Sequence, residues 1–279
     1  MLSYLHSFHA GCIADVHKHG ILSLLLAALT KKDRPITYME THAGRGIYDL
    51  ESEEALKTNE AKAGILNFQT QWKLSKDHPY QQALDEIHKS YGSSFYPGSP
   101  AIAKSLLRSQ DHMHLMELHP KEIEVLKHYM NDKTIHCHHR DGYEGVLGVS
   151  PPKARRGLVL IDPSFEIKTE YQTCVTFIKK LVKKWPEASI CLWYPMLESK
   201  HYSDMVDSLD HEAFDNVEHR TLLFPAFESK DKTLKNKNHK EKFKGMSGTG
   251  FYIINCPWGV TEDLNDYEDH LKKVLKTSN

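Results

Sequence analysis

The stretch Gly157-Leu-Val-Leu-Ile-Asp-Pro-Ser-Phe165 decides the fold. Its successive aliphatic residues, 158–161, predict a strand that is buried on both faces, as in a parallel sheet. The strand ends abruptly at Asp162 and Pro163, and ligands of open α/β sheets bind just beyond the carboxyl ends of the strands. A carboxylate, a free carbonyl and the ring of Phe165 can together hold a planar base that carries an amino group. We therefore expect the chemistry at this corner.

Strand patterns and helix patterns alternate along most of the chain. This alternation predicts an α/β fold with a mostly parallel seven-stranded sheet and helices on both faces. The predicted strands cover residues 36–40, 113–117, 134–139, 157–162, 188–194, 217–224 and 250–255. The main predicted helices cover residues 14–31, 98–109, 119–131, 168–184, 200–211 and 262–276.

One interval breaks this alternation. The residues between Asp49 and Phe95 are rich in Glu, Lys, Gln and Ala, with helical periodicity and no convincing strand. We interpret residues 50–95 as a small helical insertion subdomain within a single domain of residues 1–279.

The overall charge neither indicates nor excludes a nucleic-acid partner. The chain has 36 basic and 37 acidic residues, so any nucleic-acid surface must come from local clustering. Residues 230–244 contain seven lysines and two acids and predict a loop before the last strand. Charge alone favours a solvated loop, with a phosphate-contacting loop as the alternative.

Several features of the sequence predict a cytoplasmic protein without membrane contact. The first nine residues lack the charged start and long apolar run of a signal peptide. The apolar run of residues 21–29 is too short to cross a bilayer. Five widely spaced cysteines without a C-x-x-C pair argue against disulfides and a zinc ribbon.

The first predicted strand ends at Glu40 and runs into Thr41-His-Ala-Gly-Arg-Gly46. A Gly-x-Gly turn after a first strand, here Gly44 and Gly46, lets the backbone approach a bound nucleotide closely. A dinucleotide fingerprint needs a third small residue at position 49, where this chain has Asp49. The sequence therefore argues against a nicotinamide-dependent oxidoreductase.

Acids also follow the next two strands. Glu117 can accept hydrogen bonds from both hydroxyls of a ribose, or it can be an acid at a helix N-terminus. Asp141-Gly142 can read an adenine amino group, or it can form a simple turn. Each motif alone is a weak signal, but together the successive strand ends carry ligand-type residues in the order of a nucleotide site.

This order of motifs resembles that of class I S-adenosylmethionine-dependent methyltransferases that act on amino nitrogens. Asp162-Pro163-Ser164-Phe165 is similar to the Asp-Pro-Pro-Tyr/Phe motif of that group. Nearly the whole chain is similar to one family, the RlmJ family of bacterial 23S ribosomal RNA adenine-N6 methyltransferases. The similar stretches are residues 1–11, 14–19, 41–44, 96–100, 117–120, 155–158, 192–195 and 247–248.

The resemblance implies a Rossmann-like fold, S-adenosyl-L-methionine as cofactor, and methyl transfer to N6 of an adenine. It implies 23S rRNA or a ribosome assembly precursor as substrate, and a monomeric enzyme. The implied cofactor contacts are Lys18, His19, His42, Gly44, Ser99, Glu117, Asp141, Gly142 and Asp162. The implied catalytic corner is Asp162, Pro163 and Phe165, and the implied RNA contacts are Tyr4 and His6.

The chain departs from the family pattern at three positions. Glu40 stands where the family has Asp, which changes the reach toward the methionine end of the cofactor by one methylene. Ser164 replaces the second proline and Phe165 the tyrosine, but the carboxylate, the Pro163 carbonyl and an aromatic face are kept. We expect these changes to affect rate more than reaction type.

Two alternatives stay open from the residues. The Asp-Pro-x-aromatic corner does not by itself choose the acceptor, which could also be a DNA adenine or a protein amide. A catalytically silent RNA-binding protein is the other alternative, with Ser164 as a sign of decay.

The 19 histidines do not predict a metal site. Zinc needs three or four convergent ligands. His136 and His138 share one strand face, which we expect to be covered by helices, and the histidines near the amino terminus are better explained as cofactor and RNA contacts.

Overall fold

The stretch that ends in Asp162 lies at the centre of a sheet. The computed structural model describes residues 5–224 and 246–277, and in it the strand Gly157–Ile161 is buried along its whole length. Thr37–Glu40 pairs with it in parallel on one side and Ala188–Leu197 on the other. Since consecutive strand residues point to opposite faces, complete burial means that both faces of the sheet are covered here.

The strands are numbered in chain order. They are β1 Thr37–Glu40, β2 Ile47–Asp49, β3 Phe95–Pro97, β4 His112–Glu117, β5 Ile135–His139, β6 Gly157–Ile161, β7 Ala188–Leu197, β8 Val217–Leu223 and β9 Met246–Ile254. The main sheet has the order β5-β4-β1-β6-β7-β9-β8, and all its neighbours are parallel except around β9. This confirms the predicted mostly parallel seven-stranded sheet.

The predicted long helices are present, with small differences at their ends. The helices are α1 Ile13–Thr30, α2 Glu53–Thr58, α3 Glu60–Ala63, α4 Ile65–Gln71, α5 Pro79–Tyr91, α6 Ser99–Leu106, α7 Pro120–Tyr129, α8 Gly142–Val149, α9 Thr169–Lys184, α10 His201–Asp210 and α11 Thr261–Thr277. A short 3-10 turn, His6–Phe8, precedes α1.

A hairpin frames the interval that breaks the alternation. Strands β2 and β3 pair with each other in an antiparallel sheet of their own, and helices α2 to α5 lie between them in sequence. These two short strands were not predicted from the sequence. The interpretation of residues 50–95 as a subdomain within one domain of residues 1–279 stays a prediction.

Helix α1 is a core helix. By length and composition it could cross a membrane, but 83% of it is buried inside the protein. It packs against α5, α6 and α11 and against β9 of the sheet. Its amino-terminal half thus brings residues 13–19 over the sheet, where the site described below lies.

Gly20 lets α11 approach α1 closely. A methyl group at this position would lie 2.0 Å from the ring of Tyr267, whose hydroxyl donates to the Val16 carbonyl at 2.7 Å. No side chain larger than hydrogen fits here without moving the Tyr267 ring.

We expect Gly20→Ala to lower the free energy of unfolding by about 1–3 kcal/mol, because it overpacks a filled core. Urea denaturation measures the change. Gly148→Ala in α8 is the matched control, since its new methyl would lie 3.6 Å from Arg140. A helical glycine with such room should gain stability on substitution, so equal effects of the two variants would contradict this account of α1 packing.

Candidate active site

The parallel strands of the main sheet place their carboxyl ends along one edge. Glu40 ends β1, Glu117 ends β4, Asp141 follows β5 and Asp162 follows β6. The order of strands brings these four acids to neighbouring positions across the sheet. The order of the strands reverses at β1, because β4 and β5 are added on one side of it and β6 and β7 on the other. Open α/β sheets bind ligands at such a switch point.

Lys18 binds the carboxylate of Asp162. Its ammonium lies 2.6 Å from Asp162 Oδ2 and 3.1 Å from Asp15 Oδ1. The side chains of Lys18 and Asp162 are 6% and 13% exposed, so water screens this ion pair only weakly. The structure therefore joins α1 to the predicted catalytic corner through a single ammonium.

Asp15 connects the same ammonium to His6. Asp15 Oδ2 lies 2.8 Å from His6 Nε2 and accepts a hydrogen bond from the Gly11 amide at 2.9 Å. Burial alone would raise the pKa of Asp15, but the nearby charges of His6 and Lys18 hold it well below its usual range. Asp15 is therefore ionised, and it fixes two predicted site residues relative to each other.

The corner after β6 has a strained backbone. Phe165 has φ 55°, in the left-handed region that favours glycine. Its amide donates to Glu170 Oε2 at 2.8 Å, and its ring is buried beside Tyr171, with a centroid distance of 4.6 Å. Pro163 is also buried. The ring that we expect to stack on the acceptor base is thus packed against protein in this structure.

Glu40 is fully buried and uncharged at neutral pH. The Tyr38 hydroxyl donates to its Oε2 at 3.0 Å, and the Ser99 hydroxyl donates to its Oε1. Burial raises the pKa of Glu40 to about 8, although both hydroxyls favour the charged form. The charge of Asp162 raises it further. A cation bound at this edge would restore the ionised carboxylate.

The glycine-rich turn and Glu117 bind each other. Glu117 accepts hydrogen bonds from the amides of Gly44 at 2.8 Å and His119 at 2.7 Å. Gly44 has φ +62°, and a methyl there would lie 2.4 Å from the Tyr48 hydroxyl. The turn therefore needs glycine at this position, because of its backbone conformation and the Tyr48 hydroxyl beside it. Close approach of a nucleotide to this turn stays a prediction.

Asp141 and Gly142 close the other side of the turn. Asp141 caps α8 by accepting from the Glu144 amide at 2.9 Å. A methyl on Gly142 would lie 2.0 Å from the carbonyl oxygen of Thr41. The start of α8 thus packs directly on the backbone that follows β1. Asp141 caps a helix, so the alternative of a simple turn is wrong, and its contact with an adenine stays a prediction.

The two predicted cofactor histidines are neutral. Burial lowers the pKa of His19 to about 3 and that of His42 to about 4. His19 Nδ1 lies 2.7 Å from the Tyr96 hydroxyl, and His42 Nδ1 lies 2.8 Å from Thr41 Oγ1. His42 lies at the strand-end edge, whereas His19 is enclosed between α1 and the β2–β3 hairpin.

Two predictions concern residues outside the described ranges. They are Tyr4 as an RNA contact and a loop at the Lys-rich segment 230–244. Both stay predictions.

The expectation that helices cover the strand face of His136 and His138 is wrong. Strand β5 is an edge strand, and its histidine face is open: His136 is exposed and His138 half-buried. His114 Nδ1 lies 3.2 Å from His138 Nε2, and the rings of His114 and His136 stack at 4.9 Å. Within residues 5–224 and 246–277, no group of three or more metal-ligating side chains is placed to hold a metal ion.

Three residues of the site were missed from the sequence. Asp15 stands three residues before Lys18, a spacing that places both on one helix face and could have suggested the ion pair. Glu170 and Trp193 gave no such signal, because they meet the corner only in three dimensions. Trp193 lies 5.3 Å from the Lys18 ammonium, measured to the ring centroid.

The chain is similar to known proteins over almost its whole length. The family described as "Ribosomal RNA large subunit methyltransferase D, RlmJ" matches residues 33–279. The ribosomal RNA large subunit methyltransferase J of Escherichia coli is 35% identical over 268 residues, which cover 95% of this chain and 91% of that protein. The protein of the same name from Haemophilus influenzae is 34% identical over 280 residues, which cover 99% of this chain and 94% of that protein.

A solved structure is also similar. The crystal structure of protein LPL1258 from Legionella pneumophila has a TM-score of 0.81 at 34% identity, covering 96% of this chain and 94% of that one. The similarity therefore extends over both the sheet and α1.

The buried state of Glu40 gives a prediction about stability. Its pKa is about 8 in the folded protein against a normal value of 4.5, so its contribution to stability is full below pH 4.5 and is lost as the pH rises through 8. We expect the difference in free energy of unfolding between wild type and Glu40→Gln to change by about 3 kcal/mol between pH 5 and pH 8.

Urea denaturation without cofactor at both pH values measures this change. Glu51→Gln, at an exposed position, is the control and should show the pH dependence of the wild type. The same pH dependence in wild type and Glu40→Gln would show that Glu40 is not buried in the neutral form.

Proposed function

The chain belongs to the RlmJ family of ribosomal RNA large subunit methyltransferases, and we infer that it transfers a methyl group from S-adenosyl-L-methionine to the exocyclic N6 of an adenine in 23S ribosomal RNA. The observation that carries this conclusion is the Asp162-Pro163-x-Phe165 corner at the carboxyl end of the central strand β6. It lies beside a glycine-rich turn and strand-end acids that suit a nucleotide cofactor.

The edge of the sheet fits the cofactor in charge and shape. S-adenosylmethionine supplies an electrophilic methyl group on a sulfonium and also carries an ammonium. We assign the ammonium to Glu40 and Ser99, the ribose hydroxyls to Glu117, and the adenine end to Asp141 and Gly142.

The remaining implied cofactor contacts stay part of this proposal. His42 lies beside the glycine-rich turn as a neutral imidazole, which donates and accepts hydrogen bonds without adding charge. His19 lies behind the Tyr96 hydroxyl. Lys18 binds Asp162 at the edge, so besides its implied cofactor contact we assign it to the catalytic corner.

The corner activates a poor nucleophile. The lone pair of adenine N6 is delocalised into the ring, so the nitrogen must become pyramidal before it can attack. We assign its two hydrogens to the Asp162 carboxylate and the Pro163 carbonyl, which would favour that geometry. Methyl transfer is then an in-line displacement in which positioning supplies much of the rate. Asp162 is the group placed to receive the proton.

Lys18 and Asp15 position the catalytic carboxylate. The ammonium binds Asp162 Oδ2, which leaves Oδ1 for the N6 hydrogen. Asp15 holds both Lys18 and His6, so the residues near the amino terminus and the carboxylate move as one unit. His6 is the end of this series that is closest to solvent, and with Tyr4 we assign it to the RNA.

We further propose that the substrate is 23S rRNA itself or a ribosome assembly precursor, and that the enzyme acts in the cytoplasm as a monomer without membrane contact. The target base must leave its stack to reach the corner.

Transfer of labelled methyl to unmodified 23S rRNA, followed by nucleoside analysis, tests the function. We expect N6-methyladenosine, and we expect Asp162→Ala to lower the rate by roughly 10²–10⁴-fold because the N6 hydrogen loses its acceptor. Asp132→Ala, at an exposed position before β5, is the control. Full activity of a folded Asp162→Ala protein that binds S-adenosylhomocysteine would refute the catalytic role.

Phe165→Ala tests the stacking role. Loss of base stacking is worth about 1–3 kcal/mol, so we expect kcat/KM for RNA to fall by roughly 10-fold or more, mainly through KM. Affinity for S-adenosylhomocysteine, measured by calorimetry, should stay the same. Unchanged kinetics with RNA would mean that the ring only supports the corner from its buried position.

A further inference from the structure

In the part of the chain that the structure describes, two of the four buried side-chain polar atoms that lack a hydrogen-bond partner lie at the catalytic corner. The four atoms are Ser7 Oγ, Arg156 Nη1, Tyr171 Oη and Trp193 Nε1. Such atoms are rare in folded proteins, because an unpaired buried donor is costly. Two of the four belong to side chains whose rings face Phe165, at centroid distances of 4.6 Å for Tyr171 and 6.5 Å for Trp193.

Trp193 stands beside the catalytic carboxylate. It follows Leu192 on β7, and Leu192 pairs in register with Ile161, the residue before Asp162. Trp193 and Asp162 are therefore neighbours across two parallel strands. The indole also contacts the Lys18 ammonium, which is bound to Asp162. The side chain is 8% exposed, so water does not satisfy its N–H.

We propose that Trp193 positions the target adenine by donating a hydrogen bond from its indole N–H to one of the ring nitrogens of the base. This inference rests on the proposed function. An indole N–H can only donate, so its partner must be an acceptor. The N6 amino group is committed to Asp162 and Pro163, which leaves the ring nitrogens N1, N3 and N7 as the acceptors of the base.

In this proposal, the Phe165 ring turns when the base binds and so brings the base to the indole. Its ring now packs beside Trp193 and Tyr171, and its backbone is held at φ 55° by the bond to Glu170. Strained backbone at an active site is a feature of corners that change on binding. When the Phe165 ring turns to stack on the incoming base, it leaves the indole N–H open to that base.

The test combines one protein variant with modified substrates. Trp193→Phe keeps an aromatic ring and removes the N–H, and Trp258→Phe is the matched control because Trp258 is 99% exposed. The RNA is a synthetic fragment around the mapped target, which carries adenosine or its 1-deaza, 3-deaza or 7-deaza analogue at that position. Thermal unfolding and S-adenosylhomocysteine affinity confirm that both variants are folded.

We expect one of the three analogues to lower kcat/KM of the wild type by roughly 10-fold, as loss of one buried hydrogen bond does. Trp193→Phe should lose a similar factor on natural RNA and be insensitive to that same analogue, whereas Trp258→Phe should behave as wild type. The proposal is overturned if Trp193→Phe and Trp258→Phe change kcat/KM on natural RNA by the same factor. It is also overturned if Trp193→Phe is as sensitive as the wild type to all three analogues.

The comparison of the three substrate analogues tests the proposal with the wild-type protein alone. If all three analogues are methylated by the wild type as well as adenosine, no ring nitrogen is bound and the inference fails, even if Trp193→Phe does not fold. If the wild type methylates no RNA at all, the proposed function fails first and this inference fails with it. Normal methylation by Trp193→Phe overturns the inference alone.

Discussion

The ion pair between Lys18 and Asp162 is the interaction on which the rest of the site depends. Buried ion pairs contribute little net stability, because desolvation of two charges offsets their attraction. Removing one partner is costly, since it leaves an uncompensated buried charge. Here the ammonium has two carboxylate partners, Asp15 and Asp162, on two different parts of the fold. The pair therefore locks α1 over the strand ends more than it stabilises the sheet.

The acids at the strand ends explain why the site needs a cationic ligand. Glu40, Glu117, Asp141 and Asp162 share one edge, and the buried Glu40 keeps its proton at neutral pH. Burial also raises the pKa of Glu117, although two backbone amides bind it. The carboxyl groups of Glu40 and Glu117 are thus bound by neutral hydroxyl and amide donors, whereas Asp162 is bound by the Lys18 ammonium. A sulfonium and an ammonium would add positive charge beside Glu40 and Glu117.

The sequence predicted the sheet well because the central strands β6 and β7 contain buried aliphatic runs that are separated by helical patterns. It missed β2 and β3, since three residues cannot show alternation, and α8, whose Gly142, Gly145 and Gly148 weaken the helical signal. It placed the strand-end acids correctly because parallel strands end at one edge. Contacts such as Lys18 to Asp162, 144 residues apart, depend on how α1 packs. The family resemblance named both residues as site residues but did not predict the contact between them.

The corner itself shows how a departure from the family pattern can be tolerated. A second proline at position 164 would fix one backbone dihedral angle, and Ser164 does not. In this chain the Glu170 carboxylate holds the next amide, that of Phe165, so the turn is fixed by a hydrogen bond instead of a ring. A hydrogen bond can break and form again, whereas a ring cannot. The hydrogen bond therefore leaves the corner a freedom that a second proline would restrict, while the Lys18 ammonium binds Asp162.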